Sequence, residues 1–242
     1  MAINKIFKTL DEAIADIPDG ATIMIGGFGH SIDKPQNLIK ALKKRGVKNL
    51  TIICNSPGGA GPLGIGSLGG KPFIDEDILV GNGQVRKAIC TVPASLVMSK
   101  PNAFERLYRE GKVELEYVPQ GTLADRIRAG GAGIGGFYTP TGIGTLIEKG
   151  KEKRIIDGKE MILEFALRAD YSLTRAYKAD TMGNLIYKGV MRSFNAIMPQ
   201  AVNTAIVEVE EIVNAGELDP EVIVTPGIFI DRIVCVPKEG VQ

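Results

Sequence analysis

The sequence of 242 residues contains one histidine, His30, and no tryptophan. A triad or metal centre built on histidine would rest on that single residue, so no metal site is assigned. Only three cysteines occur, Cys54, Cys90 and Cys235. They are far apart, and each lies in an apolar, strand-like run. That odd, scattered set suits buried, reduced thiols in a cytoplasmic setting better than disulfides. Charge of one sign is also missing: 29 basic residues face 28 acidic ones, for a formal net charge of +1. Its densest basic runs, Lys40 to Lys48 and Lys149 to Arg154, alternate with apolar or acidic neighbours. No long-range field therefore draws nucleic acid or an anionic membrane. No apolar run approaches the ~18 residues of a membrane span. Lys5 and Lys8 are followed by Asp11 and Glu12, not by the apolar core of a signal peptide. The expectation is a cytoplasmic protein with neither a nucleic-acid nor a membrane partner.

Glycine is abundant, at 30 residues, beside an ordinary apolar share of 44% and charged share of 24%. The chain reads as alternating helix and strand in one α/β domain spanning residues 1–242. Leu10, Ala13, Ile14 and Ile17 recur at helical spacing, and a turn over Asp16 to Gly20 closes that helix. Ala21 to Ile25 is a short apolar strand. Pro35 then opens a helix through Arg45, with Leu38, Ile39 and Leu42 on one face and Gly46 as its stop. Leu50 to Cys54 is the second strand. Nearly continuous apolar strands separated by a helix predict an open, parallel-rich sheet in the first half, with helices on both faces. Further strands are expected at Lys87 to Thr91 and Glu114 to Val118, with helices at Ala103 to Arg109 and Thr122 to Ala129. The second half reads as hairpin-rich. Its strands are expected at Met161 to Phe165, Tyr171 to Tyr177, Asn184 to Tyr187, Thr204 to Val209 and Ile228 to Val236, around a helix near Phe194 to Asn203.

Three stretches satisfy G-x-G-x-x-G: Gly59 to Gly64, Gly64 to Gly69 and Gly131 to Gly136. A nicotinamide cofactor also needs an acidic residue at the end of the next strand, about 20 residues on. Gly81 and Asn82 occupy that region for the first two, and the third follows a helix. Gly70-Lys71 is followed by Pro72, so it is no phosphate-binding P-loop. Ser67 lacks the glycine of a hydrolase elbow. Gly26-Gly27-Phe28-Gly29 differs because it follows a strand and shortly precedes a helix. Such a turn can offer N–H groups and a helix dipole to an anion, or it can be a tight connection with no ligand. Asn55 and Gln120 each follow a strand, where ligands of open parallel sheets bind. Both are suited to donating to a thioester or carboxylate oxygen, and both are equally suited to capping their loops.

Four blocks occur in one order: Asp19 to Gly29, Pro119 to Gly131, Phe137 to Thr145, and Thr225-Pro226-Gly227-Ile228. Val207 to Val213 accompanies them. Across roughly Phe7 to Val236 they resemble the A (alpha) subunit of family I coenzyme A transferases, the 3-oxoacid CoA-transferase group. The resemblance implies that family's open α/β sheet and a ping-pong transfer of CoA between carboxylic acids. A glutamate nucleophile would form an acyl anhydride and then a glutamyl-CoA thioester. That glutamate belongs to the family's B (beta) subunit, in a Ser-Glu-Asn-Gly motif that this sequence lacks. The implied partner is such a B subunit, in an α2β2 hetero-oligomer. Acyl-CoA and a small carboxylic acid are the implied substrates: acetoacetate, 3-oxoadipate or a short-chain fatty acid. Coenzyme A enters as substrate, and no cofactor is bound permanently.

By the same resemblance Asn55 matches an oxyanion-hole asparagine and Gln120 a glutamine beside the catalytic carboxylate. Gly26, Gly27, Phe28, Gly29, His30, Ser31 and Ile32 match a CoA-binding segment. Two departures stand out. The loop from Gly29 to Pro35 is one residue longer than the family pattern and lacks its second glycine. Gly69 to Ile78 looks like an insertion of about ten residues, placed where loops tolerate change. Two other readings remain open at this point: an NAD(P)-dependent oxidoreductase, and a non-catalytic domain that senses acyl-CoA or a sugar phosphate.

Overall fold

The structure, a computed structural model, describes residues 4–29, 33–58, 74–95 and 101–236. Nine strands form one sheet: β1 (Ile6–Phe7), β2 (Thr22–Ile25), β3 (Leu50–Cys54), β4 (Val85–Cys90), β5 (Glu114–Tyr117), β9 (Ala169–Asp180), β10 (Leu185–Ile186), β11 (Val202–Val213) and β12 (Arg232–Cys235). Their order is β1-β12-β11-β9-β2-β3-β4-β5, with β10 attached to β9. Every pairing is parallel except β9 with β10. A separate antiparallel sheet holds β6 (Gly136–Thr139), β8 (Lys159–Phe165) and β7 (Lys153–Ile156) in that order.

The apolar strands explain why the large sheet is covered on both faces. In β3 all five residues are buried, because side chains alternate between two filled layers. Leu50, Ile52 and Cys54 join Ile23 and Ile25 of β2 beneath α1 (Leu10–Ala13), α2 (Gln36–Arg45), α3 (Asp77–Gly81) and α4 (Ala103–Arg109). Ile53 and Met24 face the other way. There they meet Leu123 and Ile127 of α5 (Gln120–Ala132) together with Phe194 and Met198. Within α2 the expected stripe of Leu38, Ile39 and Leu42 is fully buried, and Gly46 closes the helix. Asn102 opens α4 with a reciprocal capping box to Glu105.

Several expectations need correction. The first helix ends at Ala13, not near Ile17, because Pro18 disfavours the helical region for the residue before it. Ile14 and Ile17 remain core residues within the turn that follows. No α-helix occupies residues 194–203. Short 3-10 turns run through Gly189–Arg192, Phe194–Ala196 and Met198–Ala201, and Val202 and Asn203 already belong to β11. Pro199 cannot donate into a continuous helix, and the Asn195 side-chain amide takes Met191 O, the carbonyl its own backbone N–H would need in a helix. Gly227–Phe229 is likewise a 3-10 turn after Pro226, so the last strand begins only at Arg232. Hairpins do occur in the second half, at β7–β8 and β9–β10. The twelve-residue strands β9 and β11, however, run parallel and extend the main sheet.

Candidate functional site

Strand order reverses at β2. From there β3, β4 and β5 proceed outward on one side, while β9, β11 and β12 lie on the other. A crevice outside the carboxyl ends of strands at such a switch point is where open α/β sheets bind ligands. The loop Gly26 to Gly29 leaves β2 at this position. Strand β9 pairs with β2 up to Leu173 and continues past its end, so Thr174 and Arg175 wall the loop. Gly26 N–H donates to Leu173 O at 2.9 Å.

Glycine is required twice here for want of space. A Cβ on Gly26 would stand 1.9 Å from Asn195 Oδ1. Gly27 has φ of +92°, and a Cβ there would lie 2.9 Å from Lys34 Cδ and 3.0 Å from Asp33 O. The loop is held from below by buried Asp33, whose Oδ2 accepts from Phe28 N–H at 2.7 Å. Phe28 itself is 45% exposed, so its ring does not pack under the loop.

Asn55 emerges from the carboxyl end of β3 and is buried, at 4% exposure. Its backbone oxygen accepts from Thr91 and Val92 N–H groups after β4, at 3.1 and 2.9 Å. The side chain donates from Nδ2 to Phe28 O at 2.7 Å. Its Oδ1 accepts from Gln120 Nε2 at 2.8 Å. Gln120 is the exposed first residue of α5. Its side chain reaches across to Asn55 instead of capping its own helix. The two amides singled out in the sequence are thus in direct contact, and both are joined to the glycine loop. The second Nδ2 proton of Asn55 has no partner among the described residues. An amide held from both sides, with a donor left over at the end of a sheet, suits an oxygen that gains negative charge.

The α2 end of the crevice is already filled from inside the protein. Buried Glu208 of β11 accepts from Asn37 and Leu38 N–H groups at 3.0 and 2.9 Å, and pairs with Arg175 Nη1 at 2.7 Å. Burial raises the pKa of Glu208, against the opposing pull of Arg175 and these donors. The N-terminus of α2 is therefore already occupied by an internal carboxylate. Beneath the loop, Lys34 and Glu76 form a wholly buried ion pair at 2.5 Å. Burial pushes the Glu76 carboxyl up to about 7, outweighing the attraction of Lys34. The same burial lifts the thiols of Cys54 and Cys90, the latter to about 12. Neither is a ready nucleophile.

His30, Ser31 and Ile32 lie outside the described residues, as do the glycine motifs between 59 and 69 and Lys71. The Gly131 to Gly136 match falls at the C-terminal end of α5 and runs into β6, where no helix N-terminus receives a phosphate. Of the suspected insertion, Ile74 to Ile78 is described. Ile74 N–H bonds Gln36 Oε1 at 2.8 Å, and Glu76 supplies the buried partner of Lys34. A separate cavity of about 860 Å³ between α5 and the antiparallel sheet includes Tyr117, Arg126, Leu146 and Phe165, but neither Asn55 nor Gln120. Among the described residues no group of histidine, cysteine and carboxylate side chains could hold a metal ion, and no helix is long and apolar enough to cross a membrane.

Sequence reading missed Asp33, Lys34, Glu76, Asn195 and Glu208. The one available signal for Asn195 was an amide inside an otherwise apolar stretch, Phe194-Asn195-Ala196-Ile197.

Comparison with known proteins gives concordant matches. The family described as coenzyme A transferase matches residues 7–236. The A subunit of the 3-oxoadipate CoA-transferase of Pseudomonas putida is 47% identical over 234 residues, covering 97% of this chain and 94% of that protein. The A subunit of the succinyl-CoA:3-ketoacid coenzyme A transferase of Helicobacter pylori strain J99 is 42% identical over 231 residues, covering 96% and 92%. A solved acyl-CoA transferase from Escherichia coli O157:H7, in a thioester complex with CoA, superposes with a TM-score of 0.82 at 24% identity. It covers 99% of this chain and 48% of that one, so this chain spans about half of that protein.

Proposed function

The chain belongs to the coenzyme A transferase family and is a component of a CoA-transferase enzyme; from that premise we propose that it is the A-type half of an α2β2 enzyme moving CoA between an acyl-CoA and a small carboxylic or 3-oxo acid. The subunit names of its relatives imply a second, B-type partner in a hetero-oligomer. Acetoacetate, 3-oxoadipate and short-chain fatty acids are the acids proposed. The observation that carries the reading is the Gln120–Asn55–Phe28 hydrogen-bond chain across the carboxyl ends of the strands.

In this reading the partner supplies the nucleophilic glutamate, and this chain supplies the surroundings. The remaining Asn55 N–H donates to the thioester oxygen as the carboxylate attacks and negative charge builds on that oxygen. Donors of this kind contribute about 3–4 kcal/mol of barrier lowering where they have been removed elsewhere. Gln120 fixes the Asn55 amide in the donating orientation and, being exposed, faces the incoming carboxylate. Gly26, Gly27, Phe28 and Gly29, with His30, Ser31 and Ile32 by resemblance, are the residues proposed to bind CoA. Exposed Leu146, Ile155 and Phe165 on and beside the antiparallel sheet support a chain that works against another polypeptide. CoA arrives and leaves as substrate, so the protein works without a resident cofactor, in the cytoplasm.

Purification of the tagged chain from its native host, with mass identification of what co-elutes, tests the reading. A stoichiometric partner carrying Ser-Glu-Asn-Gly is expected. A chain that elutes alone, and moves no CoA with any added partner, would remove the proposal.

A further inference from the structure

Asn195 ties the far wall of the crevice to the glycine loop. It is wholly buried in the 3-10 turns before β11. Its Nδ2 donates to Asp33 O at 2.8 Å and to Met191 O at 2.9 Å. Its Oδ1 accepts from Arg175 N–H of β9 at 3.0 Å. Both amide protons are used, and the oxygen fills the space left by the missing Cβ of Gly26, which would lie 1.9 Å away.

From Asp33 the connection runs on without a gap. The Asp33 carboxylate accepts from Phe28 N–H, Phe28 O accepts from Asn55 Nδ2, and Asn55 Oδ1 accepts from Gln120 Nε2. Strand β9 is central in the sheet and pairs on both sides, so its backbone is a rigid reference for this chain of bonds. Asn55, by contrast, has a rotatable side chain whose direction is set by Phe28 O and Gln120.

We propose that Asn195 is a positioning residue of the transfer reaction, which through Asp33 and Phe28 fixes the Asn55 amide against the substrate oxygen. The inference rests on the CoA-transferase reading of the site. It assigns a catalytic consequence to a side chain that never meets substrate, and it explains why an amide, and not an apolar residue, occupies a fully buried position there. An amide is needed because the site demands two donors on one side and an acceptor on the other.

The test is a double-mutant cycle in the assembled two-component enzyme. Asn195→Asp keeps the shape but, as a carboxylate, can donate to neither Asp33 O nor Met191 O. It is expected to lower kcat roughly 10- to 100-fold, the scale of a small misplacement of a catalytic group. The KM for acyl-CoA is expected to stay within about twofold, as for loss of an interaction used in the transition state. Combined with Asn55→Ala, it is expected to add little to the loss from Asn55→Ala alone, because both act through one group.

Unchanged kcat in a folded Asn195→Asp enzyme, or losses that simply add, would overturn the positioning role while leaving the active-site reading intact. A silent Asn55→Ala would remove that reading and the positioning role with it. Should Asn195→Asp fail to fold, exchange of the side-chain amide protons in the unmutated chain decides. Slow exchange is expected at both Asn195 protons and at the Asn55 proton bonded to Phe28 O, and exchange of that Asn55 proton as fast as in a free amide overturns the proposal.

Discussion

Replacing Lys34 by Met would remove the only cation bonded to Glu76 among the described residues while keeping most of the side-chain volume. The pair is wholly buried, at 2% and 0% exposure, and Glu76 Oε2 has no hydrogen-bond partner among the described residues. Breaking a buried pair from one side typically costs about 3–5 kcal/mol, since the remaining charge has lost its compensation. For a chain of this size that corresponds to a fall in Tm of about 6–20 °C. The loss is not constant with pH. Burial holds the Glu76 carboxyl at about 7, above its ordinary 4.5, so the folded state binds more protons than the unfolded one between those values. Stability from this group is therefore present below 4.5 and declines as pH rises through about 7. Without Lys34 the carboxyl titrates higher still, and the penalty at neutral and alkaline pH grows. Thermal unfolding followed by circular dichroism across that range is the assay. Lys34→Met should diverge from the unmutated chain as pH rises, and Lys34→Met combined with Glu76→Leu should recover most of the loss. Equal melting at every pH, or a double variant worse than Lys34→Met, would refute the reasoning.

Other consequences are equally direct. Asn55→Ala should lower turnover of the assembled enzyme about 10²–10³-fold. Its Tm should fall by about 2–12 °C, since two hydrogen bonds of ordinary net strength are lost; turnover close to normal would contradict the assigned role. Gln120→Ala should lower turnover while lowering Tm by only about 1–6 °C, since a single hydrogen bond is lost. Iodoacetamide should label Cys235 alone in the native chain, because Cys54 and Cys90 are buried and their thiols titrate far above neutrality. Mass spectrometry showing rapid adducts at the buried pair would count against that packing. Gly130→Ala places a methyl 1.9 Å from Leu167 O, so α5 must shift off the segment it packs on. A loss of about 1–3 kcal/mol is expected in denaturant titration, the usual cost of overpacking.

Most strands and helices of the first half were legible from apolar runs and helical spacing, but β1 and the short helix α3 were not, because two residues and a single helical turn carry no period. Leu50 to Cys54 and Ala103 to Arg109 appear with the expected limits. The partners of β9 were not legible. A twelve-residue strand with one apolar and one polar face reads equally well in a hairpin or a parallel sheet, and long-range register decides. The 189–201 turns defeated a helical reading because Pro199 and the Asn195 amide remove backbone from the helical pattern. Asn55 and Gln120 were legible as candidates because each lies at or just beyond the end of a strand. Their mutual contact could not, since 65 residues separate them. Lys34, Glu76 and Glu208 look like ordinary surface charges in sequence, and only the approach of distant elements buries them. Which of the two readings of the Gly26 to Gly29 turn applies at α2 was likewise illegible, since Glu208 arrives from β11 to take the Asn37 and Leu38 N–H groups.

The most direct measurement supplies an acyl-CoA with acetoacetate, 3-oxoadipate or butyrate as isotopically labelled free acid, and follows label into the CoA thioester. The purified chain alone should transfer nothing, and the same chain with its Ser-Glu-Asn-Gly partner should transfer CoA to at least one acid. Transfer by the chain alone, or none by the assembled pair with any small acid, would contradict the account.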